Sequence, residues 1–231
     1  MTGGRDTISL SSDELEVSLL PGKGCDIVSL VDRRSGVDVL FRSPWGRRDA
    51  AGWGAAGTSS IERWVEAYPG GWQVLLPNGG DECIEGGVTW GYHGEAALAR
   101  WSVLDSGPSR AVLETRLFTV PLHLRREILV AGRVVRLEER VSNESEQDLE
   151  VMWGHHPAFG APFLEGGCLI SAGCESVLAD PDAPGTILAP RSRHRWPHAR
   201  TAAGEPIDLS VVPGPGEKRA VLAYLGDFSD G

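Results

Sequence analysis

Residues 111–141 read AVLETRLFTVPLHLRREILVAGRVVRLEERV. Apolar and polar residues alternate along much of this stretch, which is the period of a β-strand with one buried face. Val120-Pro121 and Ala131-Gly132 interrupt the alternation and are typical of turns. The stretch therefore predicts consecutive antiparallel strands, with Val, Leu and Ile on the buried face and Arg, Glu and Thr on the other.

Further segments with this alternation lie on both sides of the stretch. One of them precedes the stretch and forms, with the three strands inside it, a predicted meander of four antiparallel strands. Two others, which flank the turn Pro21-Gly22-Lys23-Gly24, form a predicted hairpin. The hairpin strands are residues 15–19 and 26–31, the meander strands are residues 96–104, 111–119, 122–130 and 133–141, and further strands are predicted at residues 37–41 and 220–225.

Residues 42–71 differ, because they are rich in Gly, Ala, Ser and Trp and show no clear period. They predict a long loop over one sheet face. No stretch of a dozen residues has helical periodicity, so helices should be few and short. The sequence thus predicts an all-β fold, a large antiparallel β-sandwich in a single domain over residues 1–231.

The last residues follow the strand at 220–225 with a turn-like segment, Gly226-Asp227-Phe228-Ser229-Asp230-Gly231, and no further strand. We expect from this that the chain stops before its fold is complete. A flexible tail is the alternative interpretation.

Composition excludes several classes of protein. A hydrophobic content of 41% and a charged content of 23% are typical of a globular protein. The net charge of −10 argues against a nucleic-acid partner, because phosphate binding needs a basic surface. Four cysteines without CxxC spacing favour a reducing compartment. No signal peptide or membrane-spanning stretch is evident, so we expect a cytoplasmic protein without a membrane partner, of undetermined oligomeric state.

Two basic segments stand out against this acidic background. They are the pair Arg47-Arg48 and the run Arg191-Ser192-Arg193-His194-Arg195. Solvated loops are the simpler interpretation, and neutralisation of a sugar phosphate is the alternative.

Three of the six histidines lie among glycine, proline and aromatic residues. His93 lies between glycines in Gly91-Tyr92-His93-Gly94-Glu95. His155 and His156 lie in Trp153-Gly154-His155-His156-Pro157-Ala158-Phe159, where strand alternation places the two on opposite faces. Histidine exchanges protons near neutral pH, so these residues are candidates for acid–base work beside an aromatic wall that suits a sugar. A packing cluster with one buried histidine is the alternative.

Metal binding is a separate hypothesis. His93, Glu95, His155 and His156 could supply nitrogen and oxygen ligands. Their spacing matches neither the His-x-His pattern of cupins nor a helical His-Glu-x-x-His motif. The segment Pro77-Asn78-Gly79-Gly80-Asp81 similarly allows two interpretations, a tight turn without a ligand or part of a site. No GxSxG, P-loop or dinucleotide motif is present, which leaves hydrolases of that type and nucleotide enzymes without support.

The combination of these motifs resembles the aldose 1-epimerase (galactose mutarotase-like) family. Residues 71–95 follow its pattern Gly-Trp-Gln…Leu-Pro-Asn-Gly-Gly-Asp…Gly-Tyr-His-Gly-Glu, and His156-Pro157-Ala158-Phe159 resembles its Asn-His-Pro-x-Phe motif, with His155 in the place of the asparagine. The predicted N-terminal hairpin fits as well. The resemblance runs from about residue 8 to the last residue, and it implies a large antiparallel β-sandwich with a sugar in an open cleft.

The resemblance also implies a reaction and roles for residues. The family interconverts the α and β anomers of a free aldose by proton transfer, without a cofactor or a metal. His156 corresponds to the general acid at the ring oxygen, and His93 to the residue that holds or polarises that oxygen. The substrate-binding candidates are Asn78, Asp81, Trp153 and His155. The family's general base is a glutamate in a Glu-Pro-type segment near the C-terminus, but Glu205-Pro206 lies too early in this chain, so no base is assigned.

The leading hypothesis is therefore an aldose 1-epimerase-like enzyme that acts on a free or phosphorylated hexose. A non-catalytic carbohydrate-binding or sugar-sensing protein with the same fold is the second hypothesis. A metal-dependent sugar isomerase or cupin-like protein is the third.

Overall fold

The computed structural model describes residues 7–44 and 59–229. Their contacts divide into two compact units, Met1–Phe163 and Leu164–Gly231. The elements of the first unit are β1 (Ile8–Ser11), β2 (Leu15–Leu20), β3 (Asp26–Asp32), β4 (Val37–Asp38), α1 (Ser60–Ala67), β5 (Trp72–Leu75), β6 (Cys83–Glu85), β7 (Val88–Trp90), β8 (Ser102–Ser106), β9 (Arg110–Arg116), β10 (Leu122–Ala131), β11 (Val134–Asn143) and β12 (Gly154–Pro157). Those of the second are β13 (Ser176–Ala179), β14 (Arg193–Arg195), β15 (His198–Arg200), β16 (Pro206–Asp208) and β17 (Ala223–Gly226).

Two antiparallel sheets enclose the core of the first unit. One has the strand order β1-β2-β3-β5-β12, with β4 paired to β3, and the other has the order β11-β10-β9-β8. Apolar side chains on alternate positions of both sheets meet in one buried cluster, as expected for a sandwich. The prediction of an all-β, antiparallel sandwich fold is confirmed. The fully buried members of this core include Leu10, Val17, Leu19, Cys25, Leu40, Leu76, Ala96, Ala111, Leu113 and Ile128.

Most predicted strands are present, with two changes in the first unit. The meander begins at Ser102 rather than at residue 96, because residues 95–99 form a turn in which Leu98 and Ala99 donate to the carbonyl oxygen of Glu95. Alanine contributes little β preference, so the alternation of residues 96–104 was a weak signal. The predicted strand at 37–41 is shortened to β4, and Leu40 pairs with Phe159 in an isolated bridge.

One charged side chain lies on the face that the sequence assigned to apolar residues. Arg126 lies two residues from Leu124 and two from Ile128 along β10, so it shares their buried face, and its side chain is only 1% exposed. The register places it directly opposite Glu139 of β11, and the two side chains form an ion pair inside the sandwich. The prediction that all arginines of the meander lie on the outer face is therefore wrong for Arg126.

The predicted loop at 42–71 contains the helix α1. Ser59 accepts a hydrogen bond from the backbone N–H of Glu62 and the Glu62 carboxylate accepts from the backbone N–H of Ser59, a reciprocal capping box that stabilises the first turn. Trp64 and Ala67 form its buried face. No helix among the described residues has the length and apolar character needed to span a membrane.

The second unit is a five-stranded antiparallel sheet with the strand order β16-β15-β14-β13-β17. A small core of Ala179, Leu188 and Ala199 lies against Ile207 and Ala223. The strand predicted at 220–225 begins at Ala223 instead. Arg193–Arg195, interpreted as a solvated loop, forms the short strand β14. The pair Arg47-Arg48 lies outside the described residues.

Candidate functional site

His156 is positioned by the pairing of β12 with β5. In the register of the two strands His156 lies opposite Gln73, and His155 lies opposite Val74. Val74 belongs to the sandwich core, so His155 projects towards the core and His156 projects to the other side of the sheet. Gly154–Pro157 forms the strand β12, which separates the two histidines by face.

His93 lies in a tight loop that adjoins the same side of β5. Its backbone has a φ of 58°, and Gly94 follows with a φ of 75°. A Cβ atom at position 94 would lie 2.4 Å from the carbonyl oxygen of Leu76, so only glycine fits there. A left-handed histidine is tolerated but uncommon, and such conformations are concentrated at functional positions.

Asn78 holds this loop in place. Its side-chain amide nitrogen donates to the carbonyl oxygens of Asp81 and Gly91, at 2.5 and 3.3 Å, and its side-chain oxygen accepts from the backbone N–H of Gly80 at 3.0 Å. The backbone N–H of His93 in turn donates to the carbonyl oxygen of Gly80 at 2.9 Å. Asn78 is 4% exposed, so its polar atoms serve the loop that carries His93.

The two histidine rings meet beside the aromatic residues of α1. The ring centroids of His93 and His156 lie 5.5 Å apart. Trp64 makes edge-to-face contacts with both imidazole rings, at centroid distances of 4.8 Å to His93 and 5.4 Å to His156. Tyr68 lies 5.8 Å from His156, and Tyr92 lies tilted against His93 at 3.9 Å. Packing on several sides fixes the planes of both imidazoles, which is the preorganisation that proton transfer needs. We call these five residues the histidine–aromatic cluster.

Both imidazoles are shifted towards the neutral form. Burial lowers the pKa of His93, and the neighbouring His156 lowers it further. Burial also lowers the pKa of His156, and the positive charge of Lys23 acts in the same direction. The Nδ1 atom of each ring is buried without a hydrogen-bond partner among the described residues.

These shifts predict a pH dependence of stability. Because the two histidines have a lower pKa in the folded chain than in the unfolded chain, the unfolded chain binds more protons below about pH 6.5. The free energy of unfolding should therefore decrease as the pH falls through this range and should be fully restored above it. Urea denaturation at several pH values measures the effect, and the dependence should be weaker in His156→Gln. An equal dependence in the variant would contradict the assignment to His156.

His155 takes part in a different network. The indole N–H of Trp72 donates to His155 Nδ1 at 3.0 Å, and His155 Nε2 lies 3.0 Å from a carboxylate oxygen of Glu139. An indole nitrogen only donates, so Nδ1 accepts and Nε2 carries the proton. Burial alone would raise the pKa of Glu139, but His155 and Arg126 outweigh burial and lower it to about 2. Both nitrogens of His155 are engaged, and we do not retain it as a substrate-binding residue.

The remaining predicted site residues are distributed as follows. Asp81 is exposed in the loop that precedes His93, and its negative charge raises the pKa of His93 against the dominant effect of burial. Trp153 is 49% exposed and lines a small crevice with Trp101 and Glu139, on the side of His155. The structure thus brings His93 and His156 together, with Asp81 nearby, and does not bring Trp153 to them.

The residues proposed as metal ligands do not converge. The Glu95 carboxylate accepts from the backbone N–H groups of Phe118 and Thr119, and His155 lies on the opposite face from His156. Within residues 7–44 and 59–229, no group of three or more His, Cys, Asp and Glu side chains is arranged to hold a metal ion.

Sequence reasoning missed the aromatic residues of α1 and the polar side chains next to them. The sequence did carry a signal for the helix, because Ser59-Ser60-Ile61-Glu62 has the capping-box spacing and the apolar residues at 61, 64, 65 and 68 follow the helical period. A helix of eight residues is too short to give a clear helical period in a window of a dozen residues. Lys23, Asp26 and Gln73 had no such signal, because their burial depends on strand pairing.

No protein-family model matches the chain, and no curated protein matches it. Solved structures do match. The Slr1438 protein from Synechocystis sp. PCC 6803 is 20% identical with a TM-score of 0.55, over 84% of this chain and 64% of that protein. The galactose mutarotase related enzyme from Lactobacillus acidophilus is 15% identical with a TM-score of 0.60, over 89% of this chain and 65% of that enzyme. The galactose mutarotase-like protein from Lactobacillus casei ATCC 334 is 14% identical with a TM-score of 0.53, over 95% and 68%.

The chain spans slightly less than two thirds of the length of the first two of these proteins, with shares of 64% and 65%. At identities of 14 to 20% such a likeness identifies the fold. The chain has a galactose mutarotase-like fold, built mainly from antiparallel β-sheets.

Proposed function

We propose that this protein binds a hexose or hexose derivative and interconverts its α and β anomers, with His156 as general acid and His93 as the residue that holds the ring oxygen. The observation that carries the proposal is the pairing of the His93 and His156 rings at 5.5 Å within the histidine–aromatic cluster. The likeness in fold to a galactose mutarotase related enzyme supports the same class of substrate.

The reaction consists of proton transfers that accompany the opening and closing of the sugar ring. A base removes the proton from the C1 hydroxyl while His156 delivers a proton to the ring oxygen, the bond between C1 and the ring oxygen breaks, and an open-chain aldehyde forms. Rotation about the C1–C2 bond followed by the reverse transfers gives either anomer. Since its pKa is lowered, His156 is a stronger acid when protonated, and His93 beside it can share the hydrogen bond to the ring oxygen.

We expect the sugar to lie in an open cleft, as the resemblance to the aldose 1-epimerase family implies. One cavity of the first unit, about 570 Å³, is lined by Leu15, Leu30, Trp72 and Val135, and neither His93 nor His156 lines it. An open cleft suits a substrate that must enter, rotate about one bond and leave in either form.

Non-catalytic sugar binding is the second candidate function, and one observation favours it. Among the described residues, neither His93 nor His156 forms an ion pair with a carboxylate, unlike His123 and His155. No residue is assigned as the base that takes the C1 proton, and binding without turnover is consistent with the same cluster.

An anomerisation assay separates the two functions. The rate at which pure α-glucose and α-galactose, with their 6-phosphates, approach anomeric equilibrium is followed by NMR with and without the purified protein. We expect acceleration above the buffer rate for at least one sugar. The acceleration should decline as the pH rises through the pKa of His156, which burial lowers below its usual value of about 6.5, because the acid form of the imidazole is then lost. Sugar-induced shifts of protein signals without acceleration would favour the binding function and contradict catalysis.

A further inference from the structure

A buried ion pair lies next to the histidine–aromatic cluster. The ammonium nitrogen of Lys23 lies 2.5 Å from a carboxylate oxygen of Asp26, and the two side chains are 3% and 0% exposed. Lys23 lies in the turn between β2 and β3, where Gly24 has a φ of 64° and a Cβ atom would lie 2.3 Å from the Asp26 carboxylate. Removing two charges from water is costly, and apolar residues in their place are often at least as stable. Stability alone therefore does not explain why this ion pair is buried.

Gln73 connects this ion pair to His156. Its amide nitrogen donates to Asp26 Oδ2 at 3.3 Å and to the carbonyl oxygen of Gly70 at 2.7 Å. Gln73 is also the residue directly opposite His156 in the pairing of β5 with β12. Side chains that face each other across such a pair leave the sheet on the same side as neighbours. Gln73 thus contacts Asp26 of the ion pair and lies beside His156 on the neighbouring strand.

Four side chains in this region carry a polar atom that lacks a hydrogen-bond partner. Asp26 Oδ1, Gln73 Oε1, His93 Nδ1 and His156 Nδ1 are all buried and have no hydrogen-bond partner among the described residues. Buried polar atoms without a partner are rare in native proteins because each carries the cost of its lost hydration. Their concentration in one connected group of side chains is typical of a functional region rather than of a packing core.

We propose that Lys23 and Asp26, linked through Gln73, are positioning residues that hold His156 in the orientation needed for proton transfer. The inference rests on the proposed acid–base role of His156. A fixed positive charge at Lys23 opposes a second positive charge on the imidazole, so the protonated ring gives up its proton more readily. The other titratable groups around His156 are Tyr68 after α1 and His93 in its loop.

The test combines two readouts on Lys23→Met and on the double variant Lys23→Met with Asp26→Asn. The titration of each histidine is followed by NMR of the imidazole signals, and kcat and KM for anomerisation are measured over the same pH range. We expect the midpoint of His156 to rise while that of His93 moves less, and kcat to fall by about tenfold to a hundredfold with a smaller change in KM. Arg33→Met is the control, because it removes an exposed arginine paired with Glu16.

The outcomes are distinguishable. An unchanged His156 midpoint together with an unchanged pH profile in folded Lys23 variants overturns the inference, as does an equal shift in Arg33→Met. If both Lys23 variants fail to fold, Gln73→Met keeps the ion pair and removes the hydrogen bonds of Gln73 to Asp26 and to Gly70. An unchanged kcat in that variant overturns the inference. A raised His156 midpoint in a protein without anomerase activity would instead refute the proposed function and leave the coupling of Lys23 to His156 established.

Discussion

His156→Ala should reduce the kcat for anomer interconversion by a factor of about 10² to 10⁴, which is the usual contribution of a positioned general acid or base. The protein should remain folded, because the imidazole leaves a buried Nδ1 without a partner among the described residues and so contributes little to stability through hydrogen bonds. The loss should be in kcat more than in KM, since the proton is delivered in the transition state. NMR or polarimetric anomerisation assays, with circular dichroism to confirm folding, measure both effects.

His123→Ala is the matched control. His123 lies on β10, where its imidazole contacts the Glu114 carboxylate at 3.0 Å, and it belongs to neither histidine stretch of the proposed site. We expect its kcat to stay within about twofold of the wild-type value. Near-normal turnover in folded His156→Ala, or an equal loss in His123→Ala, would show that the role given to His156 is wrong.

Arg126→Met should lower the free energy of unfolding by about 3–5 kcal/mol, the cost typical of removing one partner of a buried ion pair. The Arg126 guanidinium donates to Glu139 at 2.5 Å and to the carbonyl oxygen of Cys25 at 2.8 Å, and it lies 4.9 Å from the centre of the Trp101 ring. Methionine fills a similar volume but leaves the Glu139 carboxylate, which is 10% exposed, with His155 as its remaining charged or hydrogen-bonding partner. Urea denaturation of the variant and the wild type gives the difference.

Two further variants isolate the charge from the packing. Arg133→Met removes an exposed arginine paired with Glu14 and Asp32, and it should cost far less than Arg126→Met because solvent screens exposed pairs. Adding Glu139→Leu to Arg126→Met removes the carboxylate that has lost its arginine partner and should recover part of the loss. A cost for Arg126→Met no larger than that of Arg133→Met would contradict the view that Arg126 compensates a buried charge.

Much of the fold was predictable because strand alternation is local. The hairpin at Pro21–Gly24 and the strands β9, β10 and β11 follow directly from residues two apart that share a face. The prediction for residues 96–104 was less accurate because alanine is nearly neutral towards strand formation. The helix α1 was missed because eight residues are too few for a period that was sought in longer windows.

The candidate site was predictable only in part. His93 and His156 were identified from their neighbours in the sequence, and strand alternation placed His155 on the other face. The roles of Asn78 and Trp153 could not be inferred in this way, because Asn78 uses its polar atoms to hold a loop and Trp153 lies beside Trp101. Such roles depend on partners that are distant in the sequence.

Residues close together along the chain specify the β-rich architecture, most of the turns and the separation of His155 from His156. The tertiary structure alone decided that His93 approaches His156 beneath Trp64, that Arg126 faces Glu139 inside the sandwich, and that Lys23 and Asp26 are buried together beside Gln73. The physical reason is that strand register and loop packing, rather than local pattern, bring distant side chains within contact and remove their charges from water.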